Sequence, residues 1–295
     1  MKEYHYIVAG HRFAVEAGID DDLSQLLTQY APFAVPVDGD PLFRLRVVPS
    51  EILPRPEGLA EEFRQDDEGS QIMLARTPEG DSWLEFDLWG KAAGWMRVPS
   101  ASSEAVIALH DNPAYGLNNA LMVLFALHTA RLGTALFHAA VVGFQGKGYL
   151  FLGKSGTGKS THARLWLANI PGTELVNDDN PVVRVFPDGT ARVYGSPWSG
   201  KTPCYRNVDF PVGGFVQLAQ APYNAIRRLR GIAAYAALVP SISGKRWDRA
   251  LADGLHETEN ALASNVPVWN LDCLPDAAAA RLCRQIITNP EVWAI

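Results

Sequence analysis

The stretch Gly153-Lys154-Ser155-Gly156-Thr157-Gly158-Lys159-Ser160-Thr161 decides how the second half of this chain folds. It fits the pattern G-x-x-x-x-G-K-[ST] at every fixed position. It also stands between a predicted strand, Tyr149–Leu152, and a predicted helix that begins near Lys159. Backbone amides can approach phosphate oxygens closely only where no Cβ obstructs them, which explains the three glycines of the pattern. All nine residues are therefore predicted to form a phosphate-binding loop (P-loop) for a nucleoside triphosphate.

Two polar side chains at the end of this loop suit the same ligand. The helix that the loop opens directs its positive end at the phosphates. Lys159 adds a mobile cation between the β- and γ-phosphates, and the hydroxyl of Ser160 is suited to bind Mg²⁺. The pattern thus predicts ATP and Mg²⁺ as cofactors.

An acidic pair, Asp178 and Asp179, follows one helix and a turn after Lys159, at the end of a predicted short strand, Leu175–Asn177. We expect this strand to lie beside the P-loop strand and to present its carboxyl end to the phosphates. One carboxylate would hold Mg²⁺ and the other would accept a proton from an attacking hydroxyl. Side chains of neighbouring strand residues point in opposite directions, so both reach the site only if the chain turns, as Asn180-Pro181 predicts.

Working outward, the composition is that of a globular protein with a sizeable core. The chain has 295 residues, of which 47% are hydrophobic and 20% charged, and its formal net charge is -6. This mildly acidic balance predicts neither a nucleic-acid nor a membrane partner. The start of the sequence carries no apolar signal core, and the three cysteines lack metal-ligand spacing. We therefore expect a reduced, cytoplasmic protein, and the sequence leaves its oligomeric state open, a homo-oligomer included.

The first hundred residues predict antiparallel strands separated by turns. Tyr4–Ala9 and Arg12–Glu16 flank a turn at Gly10 and predict a hairpin. Further strands are predicted where β-branched and aromatic residues concentrate: Leu42–Val48, Gln71–Ala75, Ser82–Asp87 and Gly94–Val98. The polar stretch Pro54–Gly69 is predicted to be a loop.

The pattern changes at Pro113, where leucines at helical spacing predict a helix to about Leu132. Beyond it, strands and helices alternate: a β segment at Leu136–Val142, strands at Val182–Phe186, Arg192–Tyr194, Gly214–Leu218 and Val266–Leu271, and helices at Ile232–Leu238, Trp247–Ser264 and Ala277–Ile287. Asp276 is the predicted N-cap of the last helix. The sequence thus predicts a mixed α/β fold, with a β-rich region over residues 1–112 and a P-loop domain over residues 113–295.

Three segments together resemble the catalytic domain of HPr kinase/phosphorylase and its kinase-like relatives: Phe137-His138-Ala139-Ala140, the P-loop, and Val176–Asp179. The resemblance covers roughly residues 135–290. It implies a fold shared with ATP-dependent phosphoenolpyruvate carboxykinase and transfer of the γ-phosphoryl group to a hydroxyl of a protein, peptide or small molecule. By motif position, Lys159 and His138 would lie at the phosphates, Ser160 and Asp179 would bind Mg²⁺, and the Asp178/Asp179 pair would include the general base.

A segment after the acidic pair, Gly195–Lys201, resembles one in uncharacterised members of that group. It nominates Ser199, Gly200 and Lys201, together with Arg206 further on, as substrate-binding residues, because a cation there could neutralise a transferring phosphoryl group. The chain departs from the family at Thr161, where an acidic residue is common, and has no clear counterpart to the family's glycine-rich arginine segment. These departures argue against HPr itself as the acceptor.

Two other functions fit the same motifs. A phosphoenolpyruvate carboxykinase-like enzyme would need a cationic pocket for a small dicarboxylate. A nucleotide-binding sensor or scaffold would keep the P-loop without phosphotransfer. A transport-type ATPase is disfavoured, since no LSGGQ-like signature follows the loop.

Overall fold

The computed structural model describes residues 1–100, 102–200 and 202–289. The chain forms two compact units, residues 1–128 and residues from Thr129 onward. Each is built on a mixed sheet of nine strands, so the predicted mixed α/β class is confirmed. The helix that begins at Pro113, where the sequence-based division lies, belongs to the first unit up to His128.

The first unit combines one sheet with a long helix. Its elements are β1 (Lys2–Val8), β2 (His11–Ala17), a 3-10 helix (Thr28–Phe33), β3 (Ala34–Val35), β4 (Phe43–Val48), a 3-10 helix (Ser50–Ile52), β5 (Ala60–Asp67), β6 (Ser70–Arg76), β7 (Ser82–Leu88), β8 (Lys91–Val98), β9 (Glu104–Leu109) and α1 (Pro113–Thr129). The strand order is β3-β1-β2-β4-β9-β8-β7-β6-β5. The predicted hairpin of β1 and β2 is confirmed, with Tyr6 opposite Phe13.

Two predictions for this unit are wrong. The sheet is not wholly antiparallel, because β4 runs parallel to both β2 and β9. Hydrophobic alternation marks a strand but carries no information about its direction. The predicted loop Pro54–Gly69 contains β5, an edge strand whose residues are nearly all exposed. It lacks the apolar face by which sequence patterns reveal strands.

The second unit carries the glycine loop. Its elements are β10 (Thr134–Leu136), β11 (Ala139–Phe144), β12 (Lys147–Leu152), α2 (Lys159–Asn169), β13 (Glu174–Asp179), β14 (Val182–Val185), β15 (Ala191–Tyr194), β16 (Asp209–Gln220), β17 (Ala225–Leu229), α3 (Ile232–Leu238), a 3-10 helix (Val239–Ser241), α4 (Arg249–Asn265), β18 (Val268–Cys273) and α5 (Ala277–Ile287). The strands run in the order β10-β14-β15-β16-β12-β11-β13, and β18 joins β16 to β17. Asp276 caps α5 as predicted, since its carboxylate accepts from the amide of Ala279.

Helices cover both faces of this second sheet. On one face Val142 and Phe151 pack with Trp166 of α2 and with Cys283 of α5. On the other face Val141, Leu150 and Phe215 pack with side chains of α3 and α4. With both faces buried, the strands are nearly continuous apolar runs, as in sheets between two helical layers. Polar groups can then reach a ligand only at the ends of the strands.

The predicted neighbour relation of β12 and β13 is wrong. The strand between them is β11, which pairs antiparallel with both. The predicted single β segment Leu136–Val142 is in fact divided between β10 and β11, with His138 in the gap. Because β11 is antiparallel to each neighbour, β12 and β13 run in the same direction, and their carboxyl ends lie at the same edge of the sheet.

Candidate functional site

The glycine loop joins β12 to α2 through backbone angles that favour glycine. Gly156 and Gly158 have φ values of +77° and +107°, a region that residues with a Cβ rarely adopt. Apart from the glycine itself and its two chain neighbours, no atom of the described residues lies within 4 Å of where a Cβ would stand at either position. The constraint is therefore conformational, and the loop leaves open space beside its amides. A turn closes the loop, with the amide and hydroxyl of Thr157 both donating to the carbonyl of Lys154, at 3.2 and 2.8 Å.

Lys159 begins α2 and folds back over the loop. It is 8% exposed, and its Nζ donates to the carbonyls of Gly153 and Lys154 at 2.9 and 3.2 Å. An ammonium ion held against loop carbonyls at the positive end of a helix gives this loop a concentrated positive potential. Ser160 follows it on the first turn of α2 and is partly exposed. The predicted phosphate-binding residues Gly153–Thr161 thus form a loop that continues into the first turn of α2.

Asp178 and Asp179 end β13 at the same edge of the sheet. Ala139 shows the arrangement directly, since it pairs with Leu152 on one side and with Asp179 on the other. Two strand spacings, about 10 Å, therefore separate the backbone at the end of β12 from the acidic pair. The structure brings the loop and the aspartates together across one intervening strand.

The two carboxylates differ in surroundings. Asp178 pairs with Ala140, whose side chain lies on the face covered by α2. Asp178 is 7% exposed, and within the described residues its Oδ1 is buried and accepts no hydrogen bond. Asp179 is half-buried, lies 3.5 Å from Nε2 of His138, and accepts from Nδ2 of Asn180 at 2.9 Å.

His138 lies in the gap between β10 and β11. Its amide donates to the carbonyl of Ser241 at 2.7 Å, which fixes the backbone there. Its imidazole is 39% exposed and faces Asp179. A histidine beside a carboxylate at the open end of a sheet can hold or move a proton.

Ser199 and Gly200 lie directly on the acidic pair. Ser199 forms a β-bridge with Asp179, and the amide of Gly200 donates to the carbonyl of Asp178 at 3.2 Å. A Cβ at Gly200 would come within 2.8 Å of that carbonyl oxygen, so only glycine permits this approach. The hydroxyl of Ser199 donates to the carbonyl of Thr202. Lys201, the predicted cation of this segment, lies outside the described residues.

The structure does not bring Arg206 to this edge. Its guanidinium pairs with Glu174 at 2.7 Å and donates to the carbonyl of Leu175, at the opposite end of β13. Leu175 and Asp179 are four strand positions apart, about 13 Å. Arg206 therefore anchors the chain that follows Gly200 and does not face the loop.

A buried amide, Asn177, holds the acidic pair, and the sequence analysis assigned it no role. It is completely buried, its Nδ2 donates to Oγ of Ser196 at 3.1 Å, and its Oδ1 accepts from the amide of Asp179 at 2.9 Å. Ser196 in turn donates to the carbonyl of Asn180 at 2.6 Å. The signal in the sequence is an amide side chain at an interior position of an apolar strand, where only a hydrogen-bond network makes its burial tolerable.

The donors at this edge fit magnesium better than a metal held by protein alone. Among the described residues, no three His, Cys, Asp or Glu side chains form a cluster that could hold a metal ion. Magnesium is usually held by one or two carboxylates together with phosphate oxygens and water. Asp178 offers a buried carboxylate oxygen that has no donor in the described part of the chain, and Ser160 offers a hydroxyl. Both groups suit such a cation.

Similarity of this chain to known proteins is found among solved structures. No protein-family model matches the sequence, and no curated protein matches it. Among the solved structures that match is an HPr(Ser) kinase/phosphatase from Coxiella burnetii, which is 14% identical, covers 54% of this chain and 97% of its own, and superposes with a TM-score of 0.33. In the described part of the chain, no helix is both long and apolar enough to cross a membrane.

Proposed function

We propose that the second unit is an ATP- and Mg²⁺-dependent phosphotransferase that transfers the γ-phosphoryl group to a hydroxyl. One observation carries this proposal: β11 joins the glycine loop and the acidic pair at a single edge, with Ala139 paired to Leu152 and to Asp179. A phosphate-binding loop and a carboxylate pair within about 10 Å are the parts that phosphoryl transfer to a hydroxyl requires.

The loop binds the triphosphate. Amides of Gly153–Thr161 and the N-terminus of α2 receive the phosphate oxygens, and Lys159 exchanges its loop carbonyls for the β- and γ-phosphates. This exchange is favourable because a charged phosphate oxygen is a stronger partner for an ammonium ion than a neutral carbonyl. Ser160 and one carboxylate of the acidic pair would hold Mg²⁺, which would supply positive charge beside the transferring group.

Burial assigns the two carboxylates to different tasks. The sequence analysis assigned the metal to Asp179. Asp178 suits the cation better, because its carboxylate lies on the α2 face and has a buried oxygen with no donor among the described residues. Asp179 is the more exposed carboxylate and has His138 beside it, which suits contact with an incoming acceptor. In the reaction the acceptor oxygen forms a bond to the γ-phosphorus, the bond to the β-phosphate oxygen breaks, and the hydroxyl proton passes to Asp179.

The acceptor would reach the site past Ser199 and Gly200. Their backbone contacts the backbone of the acidic pair, so this segment borders the path by which an acceptor hydroxyl would reach the carboxylates. Lys201 follows in sequence and keeps its predicted role as a cation for the transferring group. The acceptor is a serine-type hydroxyl of a protein or peptide, or a hydroxyl of a small molecule.

Transfer of label from γ-labelled ATP to pooled hydroxyl acceptors tests the proposal. The native protein should label an acceptor only with Mg²⁺ present. Asp179→Asn should lower the rate at saturating Mg²⁺ by about 10²–10⁴-fold, the usual contribution of a general base. Asp178→Asn should instead raise the Mg²⁺ concentration required. If the native protein binds no nucleotide at millimolar ATP and Mg²⁺, the proposal is wrong. If only Asp179→Asn requires more Mg²⁺, the roles of Asp178 as metal ligand and Asp179 as general base are reversed.

A second candidate is a nucleotide-binding sensor or scaffold without phosphotransfer. The observation that favours it is Arg206, which pairs with Glu174 and does not face the loop. Measured ATP affinity with no turnover on any acceptor, water included, would establish this function instead. The same observation removes one cation, Arg206, from the cationic pocket that a carboxykinase-like enzyme would need. The cytoplasmic location and the lack of nucleic-acid and membrane partners stay predictions.

A further inference from the structure

A cavity of about 350 Å³ borders the second half of the glycine loop. It lies at the carboxyl ends of β16 and β18, which run parallel to β12, and so opens at the same edge as the loop. Its volume falls within the range of small-molecule sites, about 300–1,000 Å³. The acidic pair is not part of its lining. The cavity therefore adjoins the loop on a side that phosphoryl transfer does not use.

Part of the lining of this cavity is apolar, and a backbone hydrogen bond holds one end of it. Leu165 of α2, Leu218 of β16 and Leu274 and Pro275 after β18 supply the apolar surface. Leu274 is 38% exposed and so keeps apolar surface open beside the cavity. The amide of Ala221 donates to the carbonyl of Cys273 and ties the two strand ends together.

Gln220 connects the cavity to the loop. Its Nε2 donates to the carbonyls of Gly156 and Thr157, at 3.2 and 3.5 Å. Two carbonyl acceptors fix the orientation of the amide, because only the NH₂ group can donate to them. The side-chain oxygen of Gln220, an acceptor, is then the polar group that this side chain can offer to a ligand in the cavity.

We infer that this cavity binds the purine base of the nucleotide, and that Gln220 selects a purine with an amino group at C6, adenine. The inference rests on the proposed triphosphate site and extends it. The loop residues that line the cavity include Thr157 and Thr161, so a base bound there is joined to phosphates held by the same turn. Apolar walls suit the faces of a purine, and the Gln220 oxygen accepts from the adenine amino group. A purine with a carbonyl at that position, such as hypoxanthine, would place its oxygen next to the Gln220 oxygen. Both are acceptors, so no hydrogen bond forms between them.

Calorimetric titration with Mg²⁺ and three ligands tests the inference: ATP, inosine triphosphate and inorganic tripolyphosphate. The native protein should bind ATP about tenfold more tightly than inosine triphosphate, the value of one good hydrogen bond. Gln220→Met should bring the two affinities together. Ala221→Trp, which fills the cavity, should weaken ATP binding by about tenfold or more and leave tripolyphosphate binding unchanged. Ala225→Trp, at an exposed position outside the cavity, is the matched control and should change neither.

The outcomes separate this inference from the function on which it rests. Equal affinities of the native protein for ATP and inosine triphosphate would overturn the selection by Gln220. Two results with Ala221→Trp would overturn the base site and leave the triphosphate site standing. In one, the variant loses affinity for ATP and for tripolyphosphate by the same factor; in the other, it loses affinity for neither. Tripolyphosphate that fails to bind the native protein would instead count against the triphosphate site, and the inference would fall with it.

Discussion

Gly156 and Gly172 offer a matched pair of residues, one in the loop and one in a turn after α2. Both have left-handed backbone, with φ of +77° and +84°. At neither would a Cβ come within 4 Å of a described residue other than the glycine and its chain neighbours. Alanine at either should therefore cost about 1 kcal/mol of folding stability from backbone strain alone. Only Gly156→Ala places its methyl group where phosphate oxygens meet the loop. Thermal unfolding and ATP titration of both variants check this expectation.

The two variants should differ in ATP affinity and not in stability. We expect similar losses of melting temperature in the two variants and a loss of ATP affinity in Gly156→Ala alone. Equal ATP affinities in both variants would mean that the loop amides do not hold the triphosphate.

Substitution of the two lysines of the loop tests whether ATP binding depends on the position of a charge or only on its presence. Lys159 is buried over the loop carbonyls, whereas Lys154 is exposed. Lys159→Ala should lower the affinity for MgATP by about 100-fold, or ~2.7 kcal/mol, the range of hydrogen bonds to charged groups. Lys154→Ala should change it by less than about threefold, because exposed charges are screened. Equal losses in the two variants would reduce the role of Lys159 to general electrostatic attraction.

At the scale of elements, α2 is fastened to the sheet by His162 and Trp166. The indole of Trp166 donates to Nε2 of His162 at 3.1 Å, and the imidazole meets the ring of Phe151 edge-on. Burial lowers the pKa of His162 to about 4. The folded protein therefore keeps this histidine neutral at pH values where the unfolded chain, with a pKa of about 6.5, takes up a proton.

Stability should consequently depend on pH in a defined window. Above about pH 6.5 His162 is neutral in both states and contributes no slope; as the pH falls towards 4, only the unfolded state gains the proton, and stability is lost. At pH 5 the loss from this group amounts to about 2 kcal/mol. Urea unfolding of His162→Gln, whose amide oxygen can still accept from Trp166, should show a shallower loss between pH 7 and 5. A slope identical to that of the native protein would contradict this account.

The elements that sequence predicted well are those that local patterns specify. The glycine loop, the hairpin of β1 and β2 and helix α5 depend on turn residues, alternation and caps within a few positions. The position of β11 between β12 and β13 depends instead on hydrogen bonds between segments distant along the chain. For the same reason, the aspartates were placed at the correct edge but beside the wrong strand.

For the site, too, the sequence predicted the residues that belong to a local motif and missed those defined by distant contacts. Residues with a motif of their own, Gly153–Thr161 and Asp178–Asp179, do come together at one edge, as does His138. Arg206 had only its charge and its neighbourhood in sequence, and it lies at the other end of β13. The sequence did not predict roles for Asn177 and Gln220, because these side chains act through hydrogen bonds to other segments. Asn177 bonds to Ser196, and Gln220 bonds to carbonyls of the loop.

At the scale of the whole molecule, the loop, the acidic pair and the adjoining cavity all belong to the second unit. That unit has its own core on both faces of its sheet. A fragment that begins at Thr129 should therefore fold and bind MgATP with an affinity within a few-fold of the intact chain. Circular dichroism and calorimetry of the fragment check both parts. A folded fragment without ATP affinity would mean that the first unit completes the nucleotide site.

The most direct test of a shared site is a crystal structure of the protein with Mg²⁺ and a non-hydrolysable ATP analogue. We predict that the γ-phosphate lies between Nζ of Lys159 and the carboxylates of Asp178 and Asp179, with the metal ion on Ser160 and one of those carboxylates. A triphosphate bound with its γ-phosphate directed away from the acidic pair would contradict the account.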